Sequence, residues 1–193
     1  TDNMREWNAD GKDIYYQGTI NKALPVDLKV SYELDGNPVS AESLAGKSGK
    51  VTIRFDYTNN QYKNVSIDGK NTKIYVPFVM LTGLLLDNDI FTNVEISNGK
   101  IINDGDRIIA VGFALPGMKE NLNLSRDKVD IPDFVEITAD VNNFALSNTL
   151  TVAANSIISD LDVSKLDSAD DLQASLTELS SAMSKLLDGS SEL

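Results

Sequence analysis

An alternation of apolar and polar side chains over residues 51–58 constrains the fold more than any other feature of this sequence. Successive side chains of a β-strand point to opposite faces, so a period of two gives one buried face and one solvated face. The side chains expected to be buried are Val51, Ile53, Phe55 and Tyr57. A second alternation starts earlier, and its core-facing residues are expected to be Val26, Leu28, Val30 and Tyr32. These patterns predict two half-buried strands.

Turn-forming residues separate these strands from several others. The Asp-Gly-Asn-Pro of residues 35–38 ends the first strand. Asn98-Gly99 predicts a β-hairpin, because both central residues of a type I′ turn need positive φ. A second turn is expected at residues 103–106, and a tight hairpin is expected at Asn142-Asn143. The spacing of the turns indicates short strands that follow one another closely.

Longer apolar segments complete the β pattern. Residues 74–86 are apolar except for a few interruptions, and they are too short for a membrane helix, so they predict one or two buried strands. Residues 134–141 and 144–155 predict two more. The fold is therefore expected to be mainly β, an antiparallel β-sandwich that is Ig-like or similar, with a C-terminal amphipathic helix of the coiled-coil type.

The sequence changes character after residue 155. Residues 1–155 are expected to form the β-sandwich domain, and the Ser- and Asp-rich residues 156–167 are expected to form a connector. Residues 168–193 predict the start of a heptad-repeat helix. Ser168 and Asp171 resemble a capping box, and acidic residues suit the positive end of a helix dipole.

Apolar residues in the tail recur at alternating spacings of four and three, which is typical of a coiled-coil seam. The seam residues are Leu172, Leu176, Leu179, Met183, Leu186 and Leu193. A parallel row of small residues consists of Ser175, Ala182 and Gly189. The seam is expected either to pair with another copy or a partner helix or to fold back on the β domain. The heptad pattern is expected to continue beyond the last residue.

Charge and residue types exclude several classes of function. The chain has 17 basic and 29 acidic residues, a net charge of -12, which disfavours binding to nucleic acid. It contains no Cys and no His, which excludes thiol nucleophiles, disulfides, imidazole metal ligands and the commonest general base. The Ser and Lys of residues 181–185 lie on a predicted helical flank, where catalysis is not expected. No catalytic residue, cofactor or metal is predicted.

Two weaker candidate sites have simpler interpretations. Residues 87–89 and 103–106 are rich in the oxygen ligands that Ca²⁺ prefers, but Asp, Asn and Gly are also typical of turns, which is the favoured interpretation. Trp7, Tyr15 and Tyr16 could form an aromatic ligand platform. A hydrophobic strand contact is favoured for them, because aromatic residues are enriched in strands.

Four stretches together resemble a known group of proteins. They are "ESLAGKSGKVTIRFDYTNN", "NGKIINDGDRIIAVGFALPGM", "EITADVNNFALSNTLTVAAN" and the start of X-X-X-Leu-X-X-Gly heptads. This combination resembles the extracellular part of Firmicute membrane-anchored surface proteins with X-X-X-Leu-X-X-Gly repeats, related to the phage-infection-protein group. The resemblance implies a location on the cell surface and a long heptad region flanked by membrane helices. It implies no catalytic residue.

The expected function is therefore that of a non-enzymatic cell-surface ectodomain that supports a coiled-coil stalk, with a structural or protein–protein interaction role. The expected partner is a second copy or another helix bound through the seam, with no nucleic acid. Contact with the membrane is expected only through segments outside this sequence. The alternative is an adhesin-like module that binds a glycan or a peptide, with or without the assistance of Ca²⁺.

Overall fold

A computed structural model describes residues 21–67, 69–103, 105–121 and 131–155. In these ranges the chain is mainly β, and every strand pairing is antiparallel. The predicted connector and the heptad helix lie outside the described residues. In chain order the elements are β1 (Val26–Leu34), β2 (Asn37–Val39), α1 (Ala41–Leu44), β3 (Gly49–Asn59), β4 (Tyr62–Ile67), β5 (Lys70–Tyr75), β6 (Val79–Asp87), β7 (Phe91–Ile96), β8 (Gly99–Asn103), β9 (Arg107–Ala114), α2 (Met118–Asn121), β10 (Phe134–Val141) and β11 (Thr149–Ala154).

A five-stranded sheet has the order β2-β1-β3-β10-β7, with β3 at its centre. The predicted alternation in β3 is confirmed, because Val51, Ile53, Phe55 and Tyr57 are all buried. The alternation in β1 is only partly correct, since Leu28 is 41% exposed. The reason is its place near the sheet margin: β2 pairs with β1 only from Tyr32 onward and leaves the earlier residues of β1 without a second neighbour.

A four-stranded sheet has the order β11-β6-β9-β8. Its strand β6 comes from the apolar run at residues 74–86, as predicted. Side chains from both sheets belong to one hydrophobic core, which includes Phe55 and Ile137 from the five-stranded sheet and Leu84 and Ile108 from the four-stranded sheet. The burial of this shared core is the main source of stability, because apolar burial is the dominant favourable term in folding.

The hairpin predicted at Asn98-Gly99 is wrong. Asn98 has a positive φ of 51°, as a turn residue should, but β7 belongs to the five-stranded sheet and β8 to the four-stranded sheet. The Ser97 N–H donates to the Glu136 carbonyl at 2.8 Å, and the Asn98 carbonyl accepts from the Phe113 N–H at 2.9 Å. The chain therefore changes sheets here, because partners on β10 and β9 replace the local strand pairing.

Two glycines allow a close approach at this crossing. Gly99 on β8 pairs with Gly112 on β9. A Cβ on Gly99 would lie 2.3 Å from the Val111 carbonyl oxygen, and a Cβ on Gly112 would lie 2.5 Å from Cγ1 of Val135 on the opposite sheet. Real Cβ atoms do not come this close to other heavy atoms, so both positions require glycine.

The tight hairpin predicted at Asn142-Asn143 is also wrong. Strand β10 ends in the five-stranded sheet, whereas β11 pairs with β6 in the four-stranded sheet. The residues between them pass from one sheet to the other and are mostly exposed, but Phe144 is buried. Its ring meets those of Tyr32 and Phe91 edge-on, at centroid distances of 6.4 and 5.8 Å. An aromatic side chain that fills the core therefore outweighs the local turn tendency of the two asparagines.

A buried chain of hydroxyl groups links the two sheets. The Tyr57 hydroxyl on β3 is hydrogen-bonded to the Thr82 hydroxyl on β6, which is bonded in turn to the Thr151 hydroxyl on β11 at 2.9 Å. Burial raises the pKa of Tyr57 above its ordinary value, because the phenolate would lose hydration. The neutral phenol is thus the form that the fold stabilises.

Replacing Tyr57 with Phe is expected to lower the free energy of unfolding by about 1 kcal/mol at neutral pH, because one buried hydrogen bond is lost. Since the folded pKa of Tyr57 is raised, its contribution is fully present below about pH 10 and is lost as the pH rises further. Urea denaturation at neutral and alkaline pH should therefore show a steeper alkaline loss in the wild type than in Tyr57→Phe. Tyr62→Phe, at an exposed ring, is the control; equal alkaline slopes in wild type and Tyr57→Phe would contradict the assignment.

Candidate functional site

The residues predicted to form the helix seam lie outside the described part of the chain. They are Leu172, Leu176, Leu179, Met183, Leu186 and Leu193, and the small-residue row Ser175, Ala182 and Gly189 lies there with them. The aromatic residues Trp7, Tyr15 and Tyr16 and the Ser and Lys of residues 181–185 are likewise outside the described ranges. The seam and its pairing therefore stay predictions.

The structure brings together the two oxygen-rich loops that the sequence presents separately. The Asn88 side-chain amide donates to the Asn103 side-chain oxygen at 2.9 Å and to the Gly105 carbonyl at 2.6 Å. The Asn88 backbone N–H donates to the Asp106 carbonyl at 3.4 Å. The turn after β6 and the turn after β8 consequently form one end of the four-stranded sheet.

These loops border a cleft of about 580 Å³. The crossing segment after β10 closes another side of it with Ala145, Ser147 and Asn148. Asp87, Asp89, Asp106 and Arg107 are among its lining residues. The lining of the cleft therefore contains acidic, basic and uncharged polar residues, a composition that suits a small polar ligand.

Several side-chain oxygens in this cleft accept hydrogen bonds from the backbone of their own turns. An Asp87 carboxylate oxygen accepts the Asp89 N–H at 2.8 Å, and the Asn103 side-chain oxygen accepts the Gly105 N–H at 3.0 Å. The Asn88 side-chain oxygen is buried without a hydrogen-bond partner. No group of three or more acidic residues within the described ranges is arranged to hold a metal ion. These local bonds favour the turn interpretation.

A second candidate element is the β4–β5 hairpin, which the turn signals above did not identify. Its two strands pair only with each other among the described strands, and their side chains are mostly exposed. The local signal for it is Asp68-Gly69, a turn pair flanked by β-formers, and Gly69 has a positive φ of 76°. The hairpin is a separate ribbon attached to the two larger sheets.

Two asparagines fix the base of this hairpin. The Asn121 side chain accepts from the Tyr75 N–H at 2.7 Å and donates to the Tyr75 carbonyl at 2.9 Å. The Asn59 side chain, which is buried, donates to the carbonyls of Val76 and Pro116 at 2.8 and 3.0 Å. The ribbon is therefore held in a defined orientation at its base while its tip is solvated.

The hairpin differs in charge from the rest of the chain. Residues 62–75 contain three lysines and one aspartate, whereas the whole chain carries a net charge of -12. One face presents Val65, Ile67 and Lys63, and the other presents Tyr62 beneath the Lys73 ammonium group, whose nitrogen lies 4.3 Å from the ring centroid. A surface of this composition suits a partner that combines apolar and acidic groups.

Comparisons of the chain with protein-family models, with curated proteins and with solved structures gave no significant match. Within the described ranges, no helix has the length and apolar character needed to cross a membrane.

Proposed function

We propose that residues 1–155 form a β-sandwich ectodomain on the surface of a bacterial cell and that it works by contact with other molecules, without catalysing a reaction. Residues 168–193 begin a helical stalk in this proposal. The two sheets with one shared core support the sandwich arrangement. The resemblance of the four sequence stretches to Firmicute surface proteins supports the location.

The observation that carries the proposal is the β4–β5 hairpin. Apolar side chains exposed on a ribbon gain nothing from burial in the isolated chain, and neighbouring exposed apolar side chains can mark interaction sites. Tyr62, Val65 and Ile67 are exposed on this ribbon, and Asn59 and Asn121 anchor its base. An anchored ribbon presents its contact residues without the entropy loss that a mobile loop would incur on binding.

The contact role is tested by the binding of the labelled chain to intact Gram-positive cells. The double variant Lys63→Glu/Ile67→Asp changes one exposed lysine and one exposed apolar residue on the hairpin, and we expect it to weaken binding at least about tenfold, which corresponds to about 1.4 kcal/mol. The matched control Lys29→Glu/Leu28→Asp makes the same changes on β1, where both side chains are exposed, and should bind like the wild type. Equal losses in the two variants would contradict the proposal.

The stalk is tested by lengthening the helix. A second copy of residues 173–193 appended after Leu193 continues the heptad in register. We expect the added segment to increase helicity by circular dichroism and to cause self-association in sedimentation experiments, because a longer seam pairs more stably. An added segment that is non-helical and leaves the chain monomeric would exclude the stalk.

The cleft beside Asn88 favours the second candidate function, an adhesin-like module for a glycan or a peptide. The turn after β6, the turn after β8 and the segment after β10 surround this cleft with polar residues. Calorimetric titration with Ca²⁺ and a glycan array test this function directly. Heat on Ca²⁺ addition together with a glycan signal that Asp87→Asn abolishes would favour it over the contact role.

A further inference from the structure

The outward face of the four-stranded sheet carries apolar side chains on all four strands. Leu84 on β6 and Ile108 on β9 belong to the core, so the alternate residues of these strands point away from it. Strand pairing places Ile102, Ile109 and Leu85 in one row across the sheet. The next row consists of Lys100, Val111, Gly83 and Leu150, and the third contains Phe113 and Leu81. Val152 follows on the edge strand β11. This apolar outer face contains Ile102, Ile109, Leu85, Val111, Leu150 and Val152.

The apolar outer face contrasts with the outward face of the other sheet. There Arg54 lies between Asp56 and Glu136, at 2.8 and 3.2 Å, and the face is polar. On the apolar outer face, by contrast, Leu85 is 50% exposed and Leu150 is 67% exposed. A nearly continuous apolar run, such as that of β6, is typical of strands buried on both faces. Phe113, in the outward phase of β9, is only 6% exposed, so the open part of this face is the part around Leu85, Leu150 and Val152.

The shape of the apolar outer face suits a helix. Gly83 stands between Val111 and Leu150 in the middle row and has no side chain. A Cβ there would meet only one atom, Cγ2 of Val111 at 3.8 Å, so there is space above it. A leucine of an amphipathic helix can enter this depression while its neighbours contact the flanking rows.

We infer that the C-terminal seam, from Leu172 to Met183, packs on the apolar outer face. Strand β11 lies at the edge of this face and ends at Ala154. Residues 155–171 reach up to about 55 Å when extended, far more than the width of the sheet. The seam from Leu172 to Met183 is about 16 Å long as a helix, close to the roughly 14 Å spanned by four strands. Leu186 and Leu193 extend past the sheet.

Covalent attachment, more than charge, favours this occupant over a second copy of the chain, because the tail is itself acidic. Face-to-face pairing would bring together two molecules that each carry a net charge of -12. The tail is already covalently attached, so it competes at an effective concentration of about 1 mM. This inference rests on the same helix as the proposed stalk. It does not require that helix to continue into a longer stalk.

The absence of cysteine from the sequence allows a direct test with single reporter thiols in the full chain. Leu85→Cys reports on the apolar outer face, and Ile67→Cys, on the exposed hairpin, is the reference. At about 1 µM protein, where a tethered contact persists and weak dimers dissociate, we expect maleimide to label Leu85→Cys at least about tenfold more slowly than Ile67→Cys, because the undocked state is a minor one.

Two charge-matched double variants identify what covers the reporter. Leu176→Glu/Met183→Glu places acids in the seam and should raise the labelling rate of Leu85→Cys to that of the reference. Ala174→Glu/Ser181→Glu has the same spacing on the opposite side of the predicted helix and should leave labelling slow.

Three results would overturn the inference. Fast labelling without any seam change would show an uncovered face, and slow labelling that survives the seam change would show a different cover. Protection that grows with protein concentration would show a second copy. The cell-binding experiment tests the contact role of the hairpin independently of the tail. The contact role and the packing of the tail can therefore fail separately.

Discussion

Replacing Gly99 with Ala is expected to lower the free energy of unfolding by about 3 kcal/mol or more, because the new Cβ cannot be accommodated. It would lie 2.3 Å from the Val111 carbonyl oxygen and 2.9 Å from the Gly112 Cα, and both are backbone atoms of the paired strand. Relief therefore requires β8 to move away from β9 at the point where the chain changes sheets. Urea denaturation followed by circular dichroism measures the loss.

Gly83→Ala is the matched control for this prediction. It adds the same methyl group to a strand of the same sheet, but the new Cβ makes only an ordinary contact with Val111 at 3.8 Å. Its free energy of unfolding should stay within about 1 kcal/mol of the wild type, even where the methyl group makes the depression on the apolar outer face shallower. If the two alanine variants were equally stable, the close approach of β8 and β9 would be refuted.

Replacing Phe144 with Ala is expected to cost about 3 to 4 kcal/mol, the usual range for removing a buried aromatic side chain. The ring lies between Tyr32 and Phe91 and is 7% exposed. Its backbone N–H donates to the Lys47 carbonyl at 2.7 Å, and its carbonyl accepts from the Gly46 N–H at 2.9 Å. The ring and these bonds together hold the segment that leads from β10 to β11.

The conservative variant Phe144→Leu separates packing from local backbone effects. It retains most of the apolar volume and should cost less than about 1.5 kcal/mol. Both variants are compared by thermal and urea denaturation. A loss in Phe144→Ala no greater than that in Phe144→Leu would mean that the ring does not fill the core.

The positions of strands could be predicted from the sequence where apolar and polar residues alternate, because that alternation marks one buried face. In β3 the alternation from Val51 to Tyr57 matches the buried face, and β10 begins and ends at the predicted Phe134 and Val141. Leu28 shows the limit of this reasoning, because its exposure depends on how far the neighbouring strand β2 extends. An apolar–polar alternation with a period of two indicates a strand. Whether a given side chain of that strand is buried also depends on how far the neighbouring strand extends.

Strand partners could not be predicted, because they depend on residues distant in sequence. Asn98 and Asn143 both adopt the positive φ of turn residues, with values of 51° and 58°. Each lies where the chain passes from one sheet to the other. Local turn chemistry therefore appears at both positions, while hydrogen bonding and core packing with remote strands decide the connection.

The candidate sites show the same division. Each oxygen-rich loop is visible in the sequence, but only the fold brings Asn88 to Asn103 and Gly105. The β4–β5 hairpin has a local Asp-Gly signal and was identifiable from the sequence. Its anchoring by Asn121, which lies 46 positions from Tyr75, was not.

The interleaving of the two sheets along the chain has a consequence for synthesis. The five-stranded sheet takes β1, β2, β3, β7 and β10, while the four-stranded sheet takes β6, β8, β9 and β11. The five-stranded sheet is incomplete until β10 has emerged as far as Val141, and the four-stranded sheet until β11 has emerged as far as Ala154. Pairings between strands distant in sequence also form slowly. During translation the growing polypeptide therefore exposes unpaired strand edges and apolar side chains that are later buried in the core. We expect the nascent chain to depend on protection from aggregation until β11 joins β6.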